Sequence, residues 1–263
     1  MKSHSHAAGH TKSTDSSNGS QFPALATVRV AVNYGKKIAL NDVSFSVNAG
    51  EMVAVVGPNG AGKSSLFKAL AGFISHEGEV ELEGVCCHHK QRGTIAYIPQ
   101  RADVDFDFPI TVAQLVAAGR RRFRPWWKHS SVADQEAVDR AIAEVDLSSY
   151  ANIPIGQLSG GQAQRAFIAR ALAQDADVLL LDEAFSGVDA VNTATLFDLF
   201  AQLTSKGTTI LVSTHDLGLA RKRFKRCIGI NGTVCADGPP EESLSTGALE
   251  VLFGSPVNNP DGH

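Results

Sequence analysis

Cysteine is scarce, and so is everything that would mark a secreted or membrane-spanning chain. Four cysteines in 263 residues are too few for a disulfide scaffold and fit a reducing compartment. No window approaches the ~18 or more continuous apolar residues that a membrane span requires. The opening MKSHSHAAGHTKSTDSSNGSQ lacks the apolar stretch of a secretory signal. Net charge is only −3, so bulk electrostatics do not make this a binder of polyanions. There is no internal repeat. What is present is a hydrophobic fraction of 43% and a charged fraction of 19%, in a chain long enough for one large domain or two small ones. These features predict a cytoplasmic α/β protein that serves a membrane, if at all, through partners.

Residues 1–23 are mostly Ser, His, Gly and Asn with little to bury, and read as a disordered tail. A folded domain is expected over 24–253, with a flexible end over 254–263. LATVRVAVNY and VSFSVNAG are strand candidates separated by a turn at GKK. EMVAVVG is a short apolar run, followed by PNGAGKSS and then the helical LFKALAGF. EVELEGV and TIAYIPQ add two further strand candidates. Over about 104–160 the pattern is helical, with TVAQLVAAGR and SVADQEAVDRAIAEVDL carrying the period and no convincing strand between them. Alternation then resumes: a helix over 162–174, the run VLLLD, a helix over 190–205, the strand TTILVS, and a helix beginning near Asp216. VLLLD and TTILVS lack the polar alternation of a one-sided strand, which suits strands buried on both faces of a parallel sheet.

The chemistry is concentrated in three places. GPNGAGKS matches G-x-x-x-x-G-K-[ST] in full, after a strand and before a helix. Gly57, Gly60 and Gly62, with Pro58, Asn59 and Ala61 between them, let the backbone wrap a phosphate so that successive N–H groups point at it. Lys63 would reach the β- and γ-phosphates, and Ser64, with Ser65 beside it, would hold Mg²⁺. In VLLLDEA, Asp182 ends a buried strand where it could bind Mg²⁺ through water, and Glu183 is placed to polarise an attacking water. An isolated Asp-Glu pair more often caps a helix, but a phosphate loop in the same chain favours the catalytic role. His215, in LVSTHD, follows a third strand, and its position favours contact with the γ-phosphate. All three sets sit at carboxyl ends of strands, where open α/β sheets bind ligands. QLSGGQAQR at Gln157 to Arg165 is different. It has no acid, strong base or metal ligand before its arginine, yet a Ser-Gly-Gly turn opening a helix is a ready anion site.

With these motifs in this order, the chain resembles the ATP-binding subunits of ABC transporters over about residues 25–253. The most specific element is LSGGQ, Leu158 to Gln162, which matches that family's signature. Walker A lies at 57–64, Gln100 of YIPQ corresponds to the Q-loop, Walker B spans 178–183, SGVD at 186–189 corresponds to the D-loop, and His215 to the switch histidine. The resemblance implies a P-loop ATPase core with a mostly parallel sheet, an antiparallel β subdomain and an inserted α-helical subdomain at about 104–160. It implies ATP and Mg²⁺, with Tyr34 stacking on the adenine and Ser64, Gln100 and Asp182 around the metal. It also implies a head-to-tail pair, in which Ser159, Gly160, Gly161 and Gln162 bind the γ-phosphate of the ATP held by a second copy. Asp189 would communicate across that interface, and Gln100 would link nucleotide to helical insert. The departures are mild: Ala184 follows Glu183 where Pro is frequent, and the D-loop reads Ser-Gly-Val-Asp.

Three classes compete within the family: a transporter subunit, a soluble ATPase acting on DNA or ribosomes, and a nucleotide-binding regulator. The 57 residues between Gln100 and Leu158 leave no room for long coiled-coil arms. There is one cassette, and Lys63, Asp182, Glu183 and His215 are all present, so the transporter subunit is expected, peripheral on the cytoplasmic membrane face and without a nucleic-acid partner. The stretch RADVDFDFPITVAQLVAAGR is similar to importers for manganese, zinc and iron, which implies import of a divalent metal, manganese or zinc ahead of iron and iron chelates. It implies integral-membrane permease subunits and, indirectly, an extracytoplasmic metal-binding protein, while Phe106, Phe108 and Pro109 could equally be the insert's own core. GRRRFRPWWKH at 119–129 could be a solvated loop near the membrane, a lipid contact or a nucleic-acid contact. CCHH at 86–89 and the early His4, His6 and His10 have metal-binding atoms, but adjacent residues converge poorly on one ion.

Overall fold

The computed structural model describes residues 22–83, 85–86, 95–100, 105–121, 130–185 and 188–254, with backbone alone at 85–86. The apolar runs and alternating segments of the sequence separate into two sheets. β1 (Leu25–Tyr34), β2 (Lys37–Val47), β4 (Glu77–Leu82) and β5 (Val85–Cys86) form one, in the order β2-β1-β4-β5, with antiparallel pairing throughout. The second runs β10-β9-β3-β8-β7-β6, built from β3 (Met52–Val56), β6 (Ile95–Ile98), β7 (Val178–Leu181), β8 (Thr209–Thr214), β9 (Arg226–Asn231) and β10 (Thr233–Gly238). Five of these strands are parallel, and only β10 pairs antiparallel, on β9.

The parallel sheet is a middle layer. Side chains alternate across a strand, and here the alternation sorts the core into two bodies. Ala54, Val56, Leu179, Leu181, Ile210 and Val212 face the helical side, with Phe167, Ile168 and Phe200 among their neighbours. Val53, Val55, Val178, Leu180 and Leu211 face the other, which holds Leu66 and Phe67 of α1 (Lys63–Leu70) and the inner face of the antiparallel sheet. Every residue of β7 and β8 is buried, as two-sided coverage requires.

Between β6 and β7 lie α2 (Val112–Arg120), α3 (Val132–Glu144) and α4 (Gly160–Leu172), packed on one another. Each opens on a capping box: Thr111 with Gln114, Ser131 with Asp134, and Ser159 with Gln162. Arg120 ties the group together. Its Nε donates to Asp134 Oδ1 at 3.1 Å, and its Nη1 donates to Asp175 Oδ2 at 2.6 Å and to the Ala173 carbonyl at 3.0 Å. Of the three residues with two readings, Phe106 packs edge-on against Phe167 with centroids 6.4 Å apart, whereas Phe108 and Pro109 are exposed. One belongs to the core and two to the surface. Asp189 caps α5 (Ala190–Ser205), and Asp216 caps α6 (Leu217–Arg223). The chain then closes through β9, β10, α7 (Pro240–Ser243) and α8 (Thr246–Phe253).

Candidate active site

Parallel pairing brings four strand ends to one edge. The register sets Val56 beside Thr214, Val212 beside Leu181, and Leu181 beside Ile98. The residues that follow these ends are therefore neighbours: Gly57 after β3, His215 after β8, Asp182 and Glu183 after β7, and Gln100 just past β6.

After β3 the chain wraps over 57–62 and enters α1 at Lys63. Gly62 is left-handed, with φ 96°, and a Cβ there would stand 2.5 Å from Leu40 Cδ2, so only glycine fits. At Gly57 a Cβ would meet the Ile230 carbonyl oxygen at 2.1 Å, which closes that position to any side chain. Lys63 is 5% exposed. Its Nζ donates to the carbonyls of Gly57 at 2.8 Å and Pro58 at 2.9 Å, so the ammonium is folded onto its own loop. Burial pulls this ammonium below its ordinary value, while the Glu183 and Asp182 carboxylates push the other way.

The loop borders a cavity of about 190 Å³ lined by Tyr34, Lys37, Ala39, residues 59–65 and Glu183. Tyr34 stands half-exposed at its mouth, with its hydroxyl 3.3 Å from Ser65 Oγ. An aromatic side chain, a glycine-rich backbone turn leading into a helix, and a lysine in one cleft suit a nucleotide polyphosphate.

Asp182 is 1% exposed, and both its oxygens are engaged: Ser213 Oγ donates to Oδ1 at 2.6 Å and Tyr97 OH donates to Oδ2 at 3.1 Å. Ser213 also accepts from the Glu183 backbone N–H at 2.9 Å. Glu183 takes a left-handed backbone, φ 46°. A left-handed non-glycine at a site of this kind is a strained position held by its surroundings. Its carboxylate lies between two other candidates, with Gln100 Nε2 donating to Oε2 at 2.8 Å and His215 Nδ1 at 3.8 Å from Oε1. Tyr97 and Ser213 escaped the sequence reading. Both lie within stretches already singled out, YIPQ and LVSTHD, on the strands that lead to Gln100 and His215.

Ser159 to Gln162 do not line this cavity. Ser159 caps α4, accepting from the Gln162 N–H at 3.3 Å, while Gln162 Oε1 accepts from the Ser159 N–H at 2.9 Å. Gly160 and Gly161 are the first residues of α4, where backbone N–H groups have no partner within the helix. Asp189 accepts from the backbone N–H groups of Val191 at 3.0 Å and Asn192 at 2.9 Å, and from Asn192 Nδ2 at 2.6 Å. The Asn192 hydrogen bonds, with Val191's behind them, hold its carboxyl below the usual carboxylate range. Ser186 and Gly187, His4, His6 and His10, positions 87–89 of CCHH and positions 122–129 of the basic-aromatic run lie outside the described residues. Among the described residues no group of three or more His, Cys, Asp or Glu could hold a metal ion.

The profile of the ABC transporter family matches residues 40–186, from β2 through both Walker motifs and the signature. The chain belongs to the ABC transporter family. It is an ABC ATPase, a subunit that hydrolyses ATP. A probable metal transport system ATP-binding protein of Chlamydia trachomatis is 42% identical over 225 residues, covering 86% of this chain and 87% of its own length. A manganese transport system ATP-binding protein of Synechocystis is 40% identical over 228 residues, 86% of this chain and 88% of its own. A protein of the chelated iron transport system of Yersinia pestis is 41% identical over 235 residues, 88% of this chain and 79% of its own. Among solved structures, a dimeric ATP-binding cassette in a post-hydrolysis state with ADP and phosphate superposes with a TM-score of 0.68 at 26% identity, covering 82% of this ABC ATPase and 98% of that chain.

Proposed function

We propose that this ABC ATPase powers the import of a divalent metal ion, manganese first, as a pair of identical chains seated on membrane permease subunits. The contact of Glu183 with both Gln100 and His215, in the wall of the Walker A cavity, is the observation that carries the catalytic half of this proposal. The metal rests on what the relatives are named for, manganese or chelated iron, together with the FDFPIT stretch ahead of α2. An extracytoplasmic metal-binding protein would hand its ion to the permease. No helix among the described residues is long and apolar enough to cross a membrane, which agrees with a peripheral subunit on the cytoplasmic face.

In this scheme Tyr34 stacks on adenine, and backbone N–H groups of residues 59, 60 and 62 to 65 cradle the phosphates. Lys63 exchanges its two loop carbonyls for β- and γ-phosphate oxygens, a strong charge-assisted contact in a buried setting. Glu183 accepts a proton from the attacking water as general base, and His215 steadies the γ-phosphate. The donor set fits Mg²⁺, a hard ion that prefers oxygen: the Ser64 hydroxyl, the Asp182 carboxylate and the Gln100 amide oxygen would hold it. When bound, it would neutralise charge building on the phosphate oxygens. Ser213 and Tyr97 keep Asp182 aimed. The signature residues of the second copy would close the γ-phosphate from the far side.

Elemental analysis of cells grown in metal-poor medium tests the cargo. Strains would lack the chain, carry it, or carry Glu183→Gln. Manganese is expected to fall in the deletion and to return with the wild type alone. A fall in iron or zinc instead would reassign the metal, and no change in any of the three would refute metal import.

A further inference from the structure

The side chain of Asn192, in the first turn of α5, reaches in two directions. Its Nδ2 donates to Asp189 Oδ2 at 2.6 Å, adding to the backbone N–H bonds that Asp189 Oδ1 already accepts. The other side of the same amide lies against the signature. A Cβ built on Gly161 would stand 2.7 Å from both Asn192 Cγ and Oδ1, and 2.9 Å from its Cβ. No side chain fits on Gly161 while Asn192 is there. One amide therefore touches the D-loop carboxylate and the signature backbone of the same chain.

Neither contact is needed to form the helix or to pack it. The cap of α5 comes from Asp189, and alanine at position 192 would suit a helix better than asparagine. Leu196, Phe197, Leu199 and Phe200 anchor α5 in the core without it. A merely local hydrogen bond in an exposed first turn would not require the contact with Gly161.

We propose that Asn192 is a positioning residue, which sets the spacing between the signature N–H groups and Asp189. In the dimer proposed above, on which this inference rests, those are the parts of one chain that face the ATP held by the other. A carboxylate and a helix N-terminus pinned to one short amide move together, so the partner's nucleotide meets them as a unit. Asn192 touches no nucleotide itself, and its loss should be felt only where two copies meet.

The test uses the full chain carrying Glu183→Gln, with Mg-ATP, and reads the dimerisation constant by sedimentation. Adding Asn192→Ala should weaken dimerisation on the order of tenfold, the size of coupling seen between touching residues. The affinity of the single chain for a fluorescent ATP analogue should not change, since Walker A and Tyr34 set it. Asn192→Asp, which keeps the shape but turns an acceptor toward Asp189, should be no better than alanine. Gly161→Ala should also weaken the dimer, and part of that loss should be recovered when Asn192→Ala makes room for the new methyl. Unchanged dimerisation in both Asn192 variants, or purely additive effects at positions 161 and 192, would overturn the proposal alone. Failure of the Glu183→Gln parent to dimerise with ATP, or indifference of its dimer to Ser159→Arg, would overturn the shared-site reading as well.

Discussion

Glu183 is the residue on which hydrolysis should turn. Its carboxylate already touches Gln100 and His215, and a glutamine in its place keeps the size and the contact with Gln100 while losing the base. Glu183→Gln is expected to lower the hydrolysis rate by ~10²–10⁴-fold with ATP binding retained, as measured by phosphate release alongside a nucleotide titration. Gln164 on α4 makes a different case. It is 8% exposed, and its buried Nε2 has no hydrogen-bond partner among the described residues. A buried donor left unpaired costs stability, whereas an apolar group of the same shape does not. Gln164→Met should therefore raise the free energy of unfolding by about 1 kcal/mol in urea titrations. At this scale the sequence revealed groups by type but not their partners. Lys63, Asp182, Glu183 and His215 stand in recognisable patterns, while Tyr97 and Ser213, which hold Asp182, are ordinary strand residues until the fold brings them to it.

Arg120 joins the end of α2 to Asp134 on α3 and to Asp175 beyond α4. Asp134 accepts from Ser131 at the cap of α3 and from Arg120 at the end of α2, and these bonds push its pKa down to about 2. A carboxyl depressed on folding contributes stability that is fully present above its unfolded value, near 3.8, and is lost as pH falls through about 2. Amide exchange followed from about pH 4 downward should show α2 and α3 opening before the parallel strands, and Arg120→Ala should move that opening to higher pH. Legibility at this scale followed burial. VLLL is wholly apolar and TILVST has an apolar centre, and both are buried at every position, so the lack of polar alternation marked β7 and β8. The start of β2 was missed because Lys37, Ile38, Asn41 and Asp42 are exposed and the strand is held there by pairing with β1, Lys37 opposite Tyr34. β10 likewise carries no buried side chain, and what makes it a strand is its antiparallel partner β9.

The whole molecule carries two candidate sites, which the proposed function reads as halves. One is the cavity behind Tyr34 and Lys63, and the other is the signature at the head of α4, which lines no part of that cavity. Two such chains arranged head to tail would each complete the other, and a single chain would bind ATP without closing over it. Ser159 is where this can be tested without touching the Walker A cavity of its own chain, which it does not line. The decisive measurement is sedimentation of the Glu183→Gln chain with Mg-ATP, alone and with Ser159→Arg added, alongside a titration of ATP into each. The account predicts an ATP-dependent dimer that Ser159→Arg abolishes, with ATP still bound by the resulting monomer. A dimer that survives Ser159→Arg, or a chain that stays monomeric at saturating ATP, would contradict it.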